Sequence, residues 1–243
     1  MTIQETYLHM KEKLGKIIPD AELKYKAELA FQINQLKKEK NAIILGHNYM
    51  EPALFHSIPD IVGDSLELAR KAATTEKDII VFCGVRFMAE TAKILNPAKT
   101  VLLPAAKAGC SLAESITAED VRTLRKKYPG VPVVTYINTY ADVKAESDIC
   151  CTSANAVMIA NSIEGNEVIF VPDRNLAHFV STEIEKKVIP SPTTYCYVHE
   201  AITKEQVHGA LQEHPGAKVL VHPECRPEIT ALAHHVLSTG GMM

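Results

Sequence analysis

Short apolar runs alternate with amphipathic stretches along most of this 243-residue chain. Residues 22–40 carry apolar positions at helical spacing and basic side chains in the last turn, which predicts a helix. Asn41 ends it, and the apolar run 42–46 follows. A short β-branched run after a helical pattern predicts a buried parallel strand. Further strands are predicted at 79–82, 101–103, 133–136, 168–171, 188–189 and 219–221, with helical patterns between most of them. This alternation predicts an α/β fold with parallel sheets.

The pattern also repeats. Cys110 and Cys196 lie 86 residues apart, and a Pro-Gly pair follows each by 19 (Pro129-Gly130 and Pro215-Gly216). Tyr136 and His222, Asn138 and Glu224, and Ser153 and Thr239 share the same 86-residue offset. An earlier unit fits more loosely: His47 aligns with Tyr136 at 89, and Ser65 follows His47 by 18. The register predicts three pseudo-repeated αβα modules around a central site, the third incomplete. Their expected bounds are 22–115, 116–201 and 202–243, after an N-terminal extension at 1–21. The register also places a third cysteine near position 282, beyond Met243.

Composition narrows the class. With 47% hydrophobic and 23% charged residues the chain can bury a core, and its net charge of −3 offers no basic face for nucleic acid. The start is polar and no apolar run is long enough to span a membrane. A cytoplasmic protein is expected, with its six cysteines reduced. No CxxC motif is present, so any metal ligands are far apart in sequence.

In a parallel sheet all strand carboxyl ends share one edge, where ligands bind. His47, Tyr49, Tyr136, Asn138, His222 and Glu224 sit at or just after predicted strand ends. Singly, each reads as an ordinary hydrogen-bonded polar residue; together, at equivalent places of a repeat, they read as a site able to move protons. Ser65, Ser153 and Thr239 read as helix N-caps beside that edge, and three capped helix starts around one cavity suit a small anionic substrate. Cys110 and Cys196 are either loop cysteines or two of three inward thiolates. Three thiolates would hold a [4Fe–4S] cluster with one iron open as a Lewis acid. Cys83, Cys150, Cys151 and Cys225 read as small packed residues.

The strings GHNYMEP (46–52), GDSLELAR (63–70), FCGVRFMAETAKIL (82–95), AGCSLAE (108–114), TYINT (135–139), PDRNLA (172–177), CYVHE (196–200), HPEC (222–225) and STGGM (238–242) resemble, in order and spacing, the quinolinate synthase family. That resemblance implies three αβα modules around a [4Fe–4S] cluster. It implies condensation of iminosuccinate (iminoaspartate) with dihydroxyacetone phosphate to quinolinate in NAD biosynthesis, with iminosuccinate supplied by an L-aspartate oxidase or dehydrogenase. It makes Cys110 and Cys196 cluster ligands, with a third ligand beyond residue 243. His47, Ser65, Tyr136, Asn138, Ser153, His222, Glu224 and Thr239 become substrate-binding residues. Tyr49, Glu224 and His222 become the catalytic set, and His199 a neighbour of the cluster. Where the family usually reads STSGM this chain has STGGM, so Gly240 removes one hydroxyl. With two of three thiolates the chain as given is expected to be weakly stable and to turn over poorly. Two alternatives stand beside this reading: a truncated, non-catalytic binder of a small dicarboxylate, and a zinc or mononuclear-iron lyase using His47, His222 and Glu224.

Overall fold

The computed structural model describes residues 2–242 as a mixed α/β chain in two compact units, 1–108 and 109–243. In the first unit the elements run α1 (Ile3–Leu14), α2 (Asp20–Glu39), β1 (Ala42–His47), α3 (Pro52–Phe55), β2 (Ile61–Gly63), α4 (Ser65–Thr74), β3 (Ile79–Cys83), α5 (Arg86–Leu95) and β4 (Thr100–Leu102). The four strands form one parallel sheet in the order β2-β1-β3-β4. β1, between β2 and β3, is the most buried strand of this sheet, and its apolar run has no polar face to offer solvent. The polar start folds as well: Thr2 and Glu5 close a reciprocal capping box on α1. Met10 and Leu14 then pack with Leu23, Ala27, Ala30 and Ile44.

The second unit contains α6 (Ser111–Glu114), α7 (Ala118–Lys127), β5 (Val133–Tyr136), α8 (Ala141–Ala145), β6 (Ile149–Cys151), α9 (Ala156–Ser162), β7 (Glu167–Val171), α10 (Arg174–Glu183) and β8 (Lys187–Pro190). It continues with α11 (Tyr197–Glu200), α12 (Lys204–Glu213), β9 (Leu220–Val221), α13 (Pro227–Thr230) and β10 (His235–Val236). Its four-stranded sheet, β6-β5-β7-β8, has the same parallel order as the first, and β9 pairs with β10 in parallel. Val121, Val133, Val143, Ile169, Val171 and Ile189 form an apolar cluster against the sheet.

The seven predicted strands are all present, with ends shifted by a residue or two. β2, β6 and β10, strands of two or three residues, were not predicted. The 86-residue register is geometric as well as sequential. Cys110 and Cys196 each precede a four-residue helix, Thr117 and Thr203 each close a capping box, and Tyr128 and His214 end the following helices with nearly the same dihedrals.

In the order 2-1-3-4 the chain leaves the central strand to one side and returns on the other, a switch point outside which α/β sheets bind ligands. His47 ends β1, Tyr136 ends β5 and His222 directly follows β9. The strand order therefore sets these three residues at corresponding places.

Gly130 and Gly216 hold φ of 81° and 86°, in the left-handed region that lets the chain turn sharply from helix to strand. An added Cβ would meet no atom within 4 Å at either, so only backbone strain opposes a side chain there. Gly130→Ala and Gly216→Ala should each lower unfolding stability by about 1–2 kcal/mol in a urea titration, without changing the slope.

Candidate functional site

The second unit gathers a buried polar cluster at the carboxyl ends of β5 and β9. Glu224 is only 3% exposed. The Tyr136 hydroxyl donates to its Oε1 at 2.6 Å, and His199 Nδ1 lies 3.3 Å from its Oε2. The His199 and His222 rings stack with centroids 4.8 Å apart. His222 Nε2 is 3.2 Å from Ser153 Oγ. Six of the expected residues thus share one unit and one neighbourhood: Tyr136, Ser153, Cys196, His199, His222 and Glu224. Asn138 and Thr239 are half-buried just beyond β5 and β10.

Burial works against ionisation of Glu224, yet the charge contact with His199, the nearby His222 and the bond from Tyr136 hold its carboxyl below the ordinary value. Burial and the Glu224 charge together push Tyr136 well above 10, so it keeps its proton. Burial lowers the His199 value, but the neighbouring Cys196 and Glu224 outweigh it and push the ring up to about 10.

The histidine tautomers are fixed by the backbone. The N–H of Glu224 donates to His222 Nδ1 at 3.3 Å, and the N–H of Tyr49 donates to His47 Nδ1 at 3.2 Å. A nitrogen that accepts from an amide is unprotonated, so each neutral ring carries its proton on Nε2. Each Nε2 faces a serine: Ser153 for His222, and Ser65, at a longer 3.5 Å, for His47. Burial depresses both rings to about 4. At neutral pH they are hydrogen-bond donors of fixed direction.

The expected capping role of Ser65 and Ser153 is not what the chain does. Asp64 Oδ1 accepts the N–H of Glu67 and caps α4, while Asn155 occupies the position before α9. Both serine hydroxyls face histidines instead. In the first unit His47 is buried, and Tyr49 stands 71% exposed with its ring edge-on to His47 at 4.5 Å. Of the cysteines read as packed, Cys151 and Cys225 are buried, Cys83 is half-buried and Cys150 is exposed.

The donor atoms of Cys196, His199 and Glu224 lie within 4.8 Å of one another, a set able to hold a metal. The fit is supported by His199 Nδ1, which is buried yet has no well-aligned hydrogen-bond partner. Its 3.3 Å approach to Glu224 is therefore a charge contact more than a bond. Cys110 belongs to the same unit. Burial first, and then the charges of Cys196 and Glu224, oppose its ionisation, which a bound cation would relieve. Asp173 and Asn175, buried at the start of α10, were not singled out from sequence. Their signal was the PDRNLA string after a strand, a polar cluster at a helix start where the equivalent start of α5 has apolar Val85 and Phe87.

A family model described as NadA, quinolinate synthetase A protein, matches residues 31–243. A quinolinate synthase of Sinorhizobium medicae (strain WSM419) is 51% identical over 235 residues, covering 97% of this chain and 65% of the relative. A quinolinate synthase of Methanoregula boonei is 56% identical over 217 residues (89% of this chain, 71% of the relative), and one of Thermococcus kodakarensis 52% over 219 (90% and 72%). The chain belongs to the quinolinate synthetase A family, a family of enzymes. It spans about two thirds of the length of the curated relatives it matches. No helix among the described residues is long and apolar enough to cross a membrane.

The His47 value gives a pH test. Its folded value of about 4 lies below the ordinary 6.5, so between these values the unfolded chain binds more protons. The neutral ring's contribution is complete above pH 6.5 and is lost as pH falls toward 4. His47→Gln should reduce the acid-induced loss of unfolding free energy in that window by up to about 3 kcal/mol. Imidazole nitrogen NMR at neutral pH should find Nε2 protonated and Nδ1 bare.

Proposed function

We propose that this chain carries the quinolinate synthase activity of its family, condensing iminosuccinate with dihydroxyacetone phosphate and releasing phosphate and water. The observation that carries the reading is the buried Tyr136–Glu224–His199 and His222–Ser153 arrangement in the same unit as Cys110 and Cys196. The Nε2–H groups of His47 and His222 suit substrate oxygens, because neutral donors bind anionic oxygen without needing a counter-charge. Ser65, Ser153, Asn138 and Thr239 add short polar groups for the same purpose. Tyr136 keeps its proton and donates. Glu224 is ionised at neutral pH and is the base, and Tyr49, exposed and edge-on to His47, is a second group able to give or take a proton.

A [4Fe–4S] cluster held by Cys110, Cys196 and a third thiolate near position 282 would supply an open iron able to polarise a substrate carboxylate or hydroxyl. Beside it His199 is suited to orient Cys196 and Glu224. The reading includes modules at 22–115, 116–201 and 202–243 after an extension at 1–21. It also includes a reducing cytoplasmic setting for the free thiols, and iminosuccinate supplied by an L-aspartate oxidase or dehydrogenase.

A chain extended to include the thiolate near position 282 should, after anaerobic reconstitution, hold about four each of iron and acid-labile sulfide with a broad visible absorption, and the 243-residue chain, with two of the three thiolates, should hold less. Cys110→Ser and Cys196→Ser should each lose it and Cys150→Ser should not. Quinolinate formation from iminosuccinate and dihydroxyacetone phosphate should fall by about 10²–10⁴-fold in Glu224→Gln. A cluster-loaded chain that yields no quinolinate would remove the activity assignment; an unchanged rate in Glu224→Gln would remove Glu224 from its role.

A further inference from the structure

We propose that Asp173, Arg174 and Asn175, the start of α10, are positioning residues that hold the thiolate ligand Cys196 in place, together with its neighbours His199 and Glu224. The inference rests on the metal-centre reading above and adds residues to it. Asp173 is fully buried and uses both carboxylate oxygens on main-chain donors. Oδ1 accepts the N–H of Leu176 at 2.7 Å, which caps its own helix. Oδ2 accepts the N–H of Cys196 at 2.9 Å, which fixes the backbone that carries the thiol. Arg174 reaches the other side of the same loop. Its N–H donates to Thr194 O at 3.0 Å, its guanidinium lies 4.4 Å from the Tyr195 ring centre, and its Nη2 donates to Glu200 Oε1 at 2.6 Å.

Asn175 joins the two segments that must meet. Its Nδ2 donates to Glu200 Oε2 at 2.9 Å and to the main-chain oxygen of Glu224 at 3.0 Å. One buried amide thus ties α11, which begins right after Cys196 and contains His199, to the turn that presents Glu224. An amide NH₂ has two donors, and both are used on groups of defined position. Residues 194–200 and 222–225 have little regular structure of their own, only a four-residue helix and a two-residue strand nearby. Their register is therefore set from α10, a ten-residue helix whose Leu176, Ala177 and Val180 are buried. Such outer partners commonly govern metal affinity by 10–100-fold.

The test is a Co²⁺ titration of the reduced, metal-free chain, followed by thiolate-to-cobalt absorption, with Cys196→Ser as the control that abolishes the band. Asn175→Ala changes no charge. It should weaken Co²⁺ binding about 10–100-fold and alter the band, while far-UV circular dichroism is retained. Asp173→Asn preserves a good capping residue but offers one oxygen where two are used, so it should weaken binding as well. It decides the matter if Asn175→Ala does not fold. Parent-like affinity and spectrum in a folded variant would overturn the positioning role and leave the metal centre standing. A parent chain with no cobalt–thiolate absorption would overturn the metal centre, and this inference with it.

Discussion

A carboxylate buried at Glu224 constrains much of what surrounds it. A charge that far from water is tolerated only when hydrogen bonds and opposite charge replace its hydration. Tyr136 supplies a short bond, and His199 supplies charge at the second oxygen. The consequences spread outward. Tyr136 must hold its proton, His199 must face inward beside Cys196, and the β9 turn must meet the Cys196 loop. Asn175 fastens that meeting from below. A site assembled on one buried charge is sensitive to any partner's loss, because what remains is an uncompensated ion.

The histidines solve a different problem. A free imidazole near neutral pH is an ambiguous group, half charged and able to donate or accept at either nitrogen. Here a main-chain N–H two residues on settles the tautomer, and burial settles the charge. The same device occurs at His47 and at His222, which are in different units. The serine opposite each ring is released from helix capping by a neighbouring residue. The repeat thus reuses a piece of chemistry, a directed neutral donor beside a hydroxyl, as well as a topology.

Sequence and structure diverge in informative places. The apolar runs of the central strands declared themselves because a strand buried on both faces must be apolar throughout. The short strands β2, β6 and β10 did not. The cysteine pair, the Pro-Gly turns and the strand-tip residues were legible because an 86-residue offset aligns them. Asp173 and Asn175 have apolar residues at the equivalent places at the start of α5, and beyond the local cap that Asp173 makes, their bonds reach segments more than twenty residues away.

By itself the sequence determined the α/β alternation, the repeat, the family and the list of polar groups at strand ends. These follow from local periodicity and from register, which are properties of the chain's order. Only the tertiary structure decided which nitrogen of each histidine carries the proton, that Ser65 and Ser153 face rings instead of capping helices, and that Cys196, His199 and Glu224 come within reach of one ion. Those outcomes depend on burial, on the backbone turn that brings an N–H two residues on to each ring, and on partners brought in by long-range folding, none of which local periodicity shows.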